Sequence, residues 1–318
     1  MRAYQMSAPG APPELVELCP PEPGPGQVRL TIKACGLNFA DLLMQKGTYQ
    51  DIPPFPFTLG MELSGIIDAI GDSVVGLKTG DRVAVFAGSG GLAQQGVFDA
   101  DRVLPLPEAM SFEHAAAFQV AYVTSHVALV DRAHLQPGET LLVTGAAGGV
   151  GLTAVEIGKR LGATVIAHAR GADKLEVARA AGADHLIDDG EDLRERVKAL
   201  GGADVVYDAV GGDVFRAAFR ACRPGGRLLC IGFASGDVPQ IPANHLMVKN
   251  LSVIGFYIGG YRKFRPQVIT DSLKTLLGWY QAGDIHPHIS HSLPLARVGE
   301  GLELLRRRKS TGKVVITM

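Results

Sequence analysis

Two kinds of hydrophobic spacing divide this chain. Through residue 108 the apolar positions come in short alternating runs broken by Pro and Gly; in GQVRLTIKA, for example, Val28, Leu30 and Ile32 share one face. A period of two marks strands with one buried side, so an irregular, mostly β domain is expected. From Ser111 the texture changes. SFEHAAAFQVAYVTSHVALVDRA predicts a helix, with Ser111 as N-cap and Glu113 near the positive end of its dipole. A regular alternation follows: TLLVTGA, a helix from Gly149, TVIAHA, a helix from Ala172, HLID, a helix from Glu191, ADVVYDA, a helix from Asp213, GRLLCIGF and LSVIGFYI. Short apolar strands joined by amphipathic helices predict a parallel sheet covered on both faces, a doubly wound Rossmann-type α/β domain over residues 122–263. After Pro266 a helix, a short extended piece, the helix ARVGEGLELLRRR and the strand GKVVITM break that rhythm. This tail is assigned back to the β domain, which becomes discontinuous: 1–121 with 264–318.

Charge and composition narrow the function. Lys and Arg total 31 against 32 Asp and Glu in 318 residues, so no field for polyanions is expected and nucleic acid is a poor partner. No apolar run approaches the roughly 18 residues of a membrane span, and MRAYQMSAPG lacks the basic head and apolar stretch of an export signal. A soluble, cytoplasmic protein is expected. The four cysteines, Cys19, Cys35, Cys222 and Cys230, form no CxxC pair and suit a reducing compartment. The apolar segment at 251–259, at the edge of the predicted sheet, would be an aggregation hazard if bare; pairing with its twofold copy predicts a homodimer.

LLVTGAAGGVG carries the first chemistry. Gly145, Gly148 and Gly151 close a strand and open a helix, with Ala147, Gly149 and Val150 in the same turn. Residues without a Cβ permit the tight turn and the approach of a pyrophosphate, and a helix N-terminus offers it N–H groups and positive dipole. The reading is dinucleotide binding. At the tip of the second strand, where NAD enzymes place Asp or Glu, stand His168, Ala169, Arg170 and Gly171. Arg170 and then Lys174 suit a 2′-phosphate, so NADPH is the expected cofactor, unless these cations merely solvate a helix start.

CGLNFADLL (35–43), GMELSG (60–65), GDRVAVF (80–86), TGAAGGVG (144–151), YDAVGG (207–212) and TGKVVI (311–316) stand in an order that resembles the zinc-free quinone oxidoreductase branch of the medium-chain dehydrogenase/reductase superfamily. The likeness spans essentially the whole chain. It implies a discontinuous GroES-like catalytic domain with a Rossmann-type domain, and an acceptor site lined by the residues matching Asn38, Asp41 and Tyr49. Thr124, Gly232 and Phe233 match positions at the nicotinamide end, and Lys313 a basic residue near the cofactor cleft. In zinc-dependent relatives the first ligand Cys would fall at Asn38 and the His of GHE at Met61; neither an amide nor a thioether is a usual zinc ligand, so no metal is expected. Many relatives carry a Tyr where Leu43 stands, and often a Tyr beside the adenine phosphate where this chain has Asp189, whose charge opposes a 2′-phosphate.

The expected activity is metal-independent hydride transfer from NADPH to a quinone or related conjugated carbonyl. Asn38 would donate to the oxygen that becomes anionic, and Asp41 or Tyr49 would serve proton transfer; Asn38 and Asp41 also read as the cap and first turn of a helix. Reduction of an activated alkene (enone, acrylate-like acid or enoyl thioester) is the alternative, and a non-catalytic NADPH-binding module a third reading. His286, His288 and His291 alternate around Pro287 with no Cys or carboxylate beside them and read as structural, and RRRKS complements a helix C-terminus.

Overall fold

The computed structural model describes residues 1–318, which divide into two compact units, 1–120 with 287–318, and 121–286. The first unit is mostly β, with strands β1 (Arg2–Met6), β2 (Glu14–Glu17), β3 (Gln27–Gly36), β4 (Phe57–Thr58), β5 (Glu62–Ile70), β6 (Arg82–Phe86), β7 (Gln95–Asp99) and β8 (Val103–Pro105), and helix α1 (Phe39–Gln45) between β3 and β4. Helix α2 (Phe112–Val127) follows; Ser111 Oγ accepts from His114 N at 3.1 Å, as a cap should.

In the second unit the alternation runs β9 (Thr140–Thr144), α3 (Gly149–Arg160), β10 (Thr164–Ala169), α4 (Ala172–Ala180), β11 (His185–Asp188), α5 (Leu193–Ala199), β12 (Ala203–Asp208), α6 (Gly212–Ala221), β13 (Cys222–Cys230), α7 (Ala243–Lys249), β14 (Ser252–Gly255), α8 (Ile258–Phe264) and α9 (Pro266–Ala282). The tail supplies β15 (Ile289–Pro294), α10 (Val298–Arg306) and β16 (Lys313–Thr317).

The second unit's sheet is parallel, in the order β11-β10-β9-β12-β13-β14. Leu142, Ile166, Ile187, Val206 and Leu228, one from each of five strands, pack beneath Leu193 and Val197 of α5 and Phe215 and Phe219 of α6. This is the doubly wound α/β sheet that the alternation predicts. In the first unit the order is β15-β16-β3-β5-β6-β8, with β7 also on β3. The tail strand β16 lies against β3, Val315 opposite Gly36. There Val315 and Ala34 pack on Ala116 and Ala117 of α2.

Two expectations change. The tail rejoins the first unit at Pro287, not at residue 264. Helix α9 belongs with the second unit, because Ser272 bonds His126 Nδ1 at 2.9 Å, Trp279 meets the His126 ring edge-on at 5.2 Å, and Arg160 binds Asp284 at 3.0 Å. Strand β14 stops at Gly255, short of the predicted 251–259; the chain turns into α8, whose Tyr261 packs on Phe256 and Phe264 at 5.5 and 4.7 Å. No helix is long and apolar enough to cross a membrane.

Candidate active site

Two constellations carry chemistry, one in each unit. In the first, β3 ends at Gly36 and Asn38 takes the extended backbone of an N-cap (φ −128°, ψ 153°) before α1. Asp41, in the first turn, accepts from the backbone N–H of Asn38 at 2.8 Å and of Gly60 at 3.3 Å. It has no access to solvent, and that burial pushes its carboxyl up to about 6.

Around Asn38 lies a buried charge pair. Lys313 Nζ donates to Leu37 O at 2.8 Å, Asn38 Oδ1 at 2.7 Å and Glu62 Oε1 at 2.7 Å, using all three ammonium hydrogens. Glu62 Oε1 also accepts from Asn38 Nδ2 at 2.9 Å, and Oε2 from Val120 N at 2.8 Å; the other hydrogen of Asn38 Nδ2 goes to Gly36 O at 3.2 Å. Glu62 is wholly inaccessible and Lys313 is 4 % exposed. Each charge is stable there because the other is present and the remaining lone pairs and hydrogens are satisfied. Lys313, expected near the cofactor cleft, thus spends its hydrogens on Asn38, Glu62 and the chain. Tyr49 sits half-buried in the turn after α1.

In the second unit the strand-to-helix turn has the shape that its glycines allow. Gly145 adopts φ +62°, and Gly148 N-caps α3. A Cβ on Gly151 would stand 2.2 Å from Gly145 O, so helix and strand approach as closely as backbones can. The first-turn amides of α3, from Gly149 to Gly151, have no carbonyl one turn earlier in the helix. Behind the turn, Thr153 Oγ1, Ser125 Oγ and Tyr207 OH form a buried hydroxyl chain of 2.7 and 3.0 Å, and Ser125 also bonds Val150 O at 2.9 Å. Asp208, at the end of β12, accepts from Thr144 Oγ1 and from Gly211 N at 2.9 Å; burial raises its carboxyl.

The other matched positions scatter along the same unit. Thr124 is buried on α2, Gly232 N donates to Asp208 O at 3.3 Å, and Phe233 is 38 % exposed beyond β13, which argues against core packing there. Lys174 is half-buried in the first turn of α4. Arg170 at the β10 tip is held by Asp189: Nε donates at 2.9 Å and a terminal nitrogen lies 2.8 Å from the same oxygen.

Glu62, Asp208 and the Ser125–Thr153–Tyr207 chain were missed as site residues by sequence reasoning. The available signal was a lone charged residue inside an apolar strand, Glu62 in MELSGII and Asp208 in VVYDAV.

The side chains do not suit zinc. Asn38 and Met61 occupy the matched ligand positions, and the Asn38 amide and Glu62 carboxylate are committed to Lys313 and the backbone. No cluster of three His, Cys, Asp or Glu is placed to hold a metal ion. His288 and His291 bond Thr311 and Ser290.

The alcohol dehydrogenase GroES-like domain family matches residues 24–108, and the zinc-binding dehydrogenase family residues 149–274, a span that excludes Asn38, Met61 and Glu62. The quinone oxidoreductase-like protein 2 homolog of Nematostella vectensis is 41 % identical over 92 % of this chain and 82 % of its own length. The human synaptic vesicle membrane protein VAT-1 homolog is 34 % identical over 93 % of the chain and 80 % of its own. Among solved structures, the quinone oxidoreductase of Thermus thermophilus, determined also in complex with NADPH, superposes with TM-score 0.89 at 36 % identity over the full length of both chains. The Escherichia coli quinone oxidoreductase complexed with NADPH gives 0.92 at 30 % identity, over 100 % of this chain and 99 % of that one. With its GroES-like and Rossmann units, this chain belongs to the quinone oxidoreductase branch of the medium-chain dehydrogenase/reductase superfamily.

Proposed function

We propose that this protein is an NADPH-dependent reductase that passes hydride to a quinone or related conjugated carbonyl with no metal at the acceptor. The observation that carries the reading is the buried Lys313–Glu62–Asn38 network: where zinc relatives hold a Lewis acid, this chain holds an amide polarised by a lysine. An ammonium on Asn38 Oδ1 draws electron density through the amide and strengthens donation from Nδ2. Of its two N–H bonds the 3.2 Å one to Gly36 O is the longer, and that hydrogen is the one to offer to an acceptor oxygen gaining negative charge. Asp41 holds Asn38 in place through the backbone, and Tyr49 lines the acceptor side.

The glycine turn fits a dinucleotide, since the space a Cβ would fill at Gly151 is closed and the first-turn amides point outward from the helix end. Gly145, Ala147, Gly148, Gly149, Val150 and Gly151 would cradle the pyrophosphate, Arg170 and Lys174 the 2′-phosphate, and Thr124, Gly232 and Phe233 the nicotinamide end. Bound NADPH supplies the hydride. A second copy of the chain would cover the β14 edge, where α7 turns Leu246 to the core and leaves Met247 and Val248 73 % and 74 % exposed.

NADPH oxidation by purified protein, followed with a chelator present against quinones and activated alkenes, tests the reading. Turnover of quinones that survives the chelator is expected. Turnover of alkenes alone would move the assignment to alkene reduction, and tight NADPH binding with no acceptor reduced would favour a non-catalytic module.

A further inference from the structure

The tip of β10 lacks a carboxylate in its own sequence, yet the fold delivers one from the neighbouring strand. Ala169 stands opposite Asp188 in the parallel ladder, and Asp189 N donates to Ala169 O at 3.1 Å, which fixes the Asp189 side chain beside the β10–α4 turn. Oδ2 of Asp189 grips Arg170 at 2.8 and 2.9 Å, while Oδ1 faces Nε2 of the buried His168 at 3.6 Å. Asp188 is committed to the backbone, accepting from Gly171 N at 2.7 Å and Gly190 N at 3.0 Å. Only Asp189 therefore meets the cation that would receive a 2′-phosphate. A phosphate on Arg170 must displace or share the guanidinium with a like charge, whereas a ribose 2′-hydroxyl can donate to the carboxylate.

We propose that Asp189 is a specificity-determining residue: it competes with the 2′-phosphate of NADPH for Arg170, accepts a hydrogen bond from the 2′-hydroxyl of NADH, and so makes the chain accept both dinucleotides. The inference rests on the dinucleotide reading above. It keeps the expected NADPH, for which Arg170 and Lys174 speak and which the charge of Asp189 opposes, and adds NADH as a second ligand. With side chains 69 % and 29 % exposed, the Arg170–Asp189 pair is screened and adds little to folding, so altering it perturbs binding far more than stability.

The test is equilibrium titration of NADPH, NADH, 2′,5′-ADP and 5′-AMP into the wild type and Asp189→Asn, with melting temperatures measured alongside. The wild type is expected to bind the two dinucleotides within about thirtyfold of one another. D189N is expected to raise the NADPH:NADH affinity ratio by at least about fivefold, with 2′,5′-ADP tightening in step, as the loss of one competing charge implies. A wild type that discriminates more strongly than that, or a D189N of unchanged melting temperature that shifts the ratio less, overturns the proposal. Should D189N fail to fold, the wild-type ratio and Asp189→Ser decide by the same limits. If none of the four nucleotides binds the wild type, the dinucleotide reading itself fails, and this inference with it.

Discussion

At the scale of single residues, the structure is governed by what burial does to charge. Lys313→Met would leave the inaccessible Glu62 carboxyl without its cation, at an expected cost of about 3–5 kcal/mol by chemical denaturation. Adding Glu62→Gln should recover a large part of that loss. A K313M protein as stable as the wild type would show that the pair is not closed to water. Burial also holds the His126 imidazole down to about 4 against an ordinary 6.5. A depressed histidine contributes stability that is complete above 6.5 and is lost as pH falls towards 4, because the unfolded chain takes the proton first. The stability difference between the wild type and His126→Asn should therefore shrink as urea denaturation is repeated from pH 7 down to pH 4; a difference constant with pH would refute the assignment. Asp41 has the opposite sign, its contribution fading as pH rises through about 6, and its carboxyl should titrate there by carbon NMR. Asn38, Asp41 and Lys313 were legible as chemistry in their motifs, but their partners were not. Glu62 finds its cation 251 residues downstream, and although the family resemblance set Asp189 against a 2′-phosphate, its grip on Arg170 depends on the β10–β11 register, a pairing that no local pattern encodes.

Among the elements, the glycine turn between β9 and α3 makes the strictest demand on sequence. Gly151→Ala places a methyl carbon against Gly145 O, so α3 must retreat from the strand and its first-turn amides lose their alignment. The expected result is a folded protein whose NADPH affinity falls by about tenfold or more, read by titration, with a lower melting temperature. Affinity equal to the wild type would place the cofactor elsewhere. The βα alternation was readable because each buried parallel strand is a short apolar run bounded by turn residues. The same logic overextended β14. LSVIGFYIG looks uniformly strand-like, but the chain turns into α8, whose Tyr261 packs back on Phe256 ahead of the helix, a choice that hydrophobicity alone does not distinguish. The motif at 35–43 was legible as the start of a helix, with Asn38 the cap residue at the junction.

Over the whole molecule, β14 at the edge of its sheet, with the exposed Met247 and Val248 just before it in the chain, predicts a dimer in sedimentation. Glutamates at both positions should release monomer without harming the monomer's fold, since neither side chain is in the core. A wild type that sediments as a monomer at micromolar concentration would remove the proposal. The discontinuity of the first unit could be inferred from the broken rhythm after Pro266, although its crossing point could not, because α9 is amphipathic and would suit either unit. That discontinuity also sets an order of manufacture. Glu62 leaves the ribosome 251 residues before Lys313, on the order of ten to fifty seconds at the usual pace of translation. Through that interval the first unit lacks both β16, the strand that lies against β3, and the only lysine that neutralises its buried glutamate. The stretch 121–286 meets no such delay, since all of its strands and helices are contiguous. On stalled ribosomes, protection from protease should thus appear over 121–286 before it appears over 1–120, so that the half of the protein made first is the half finished last.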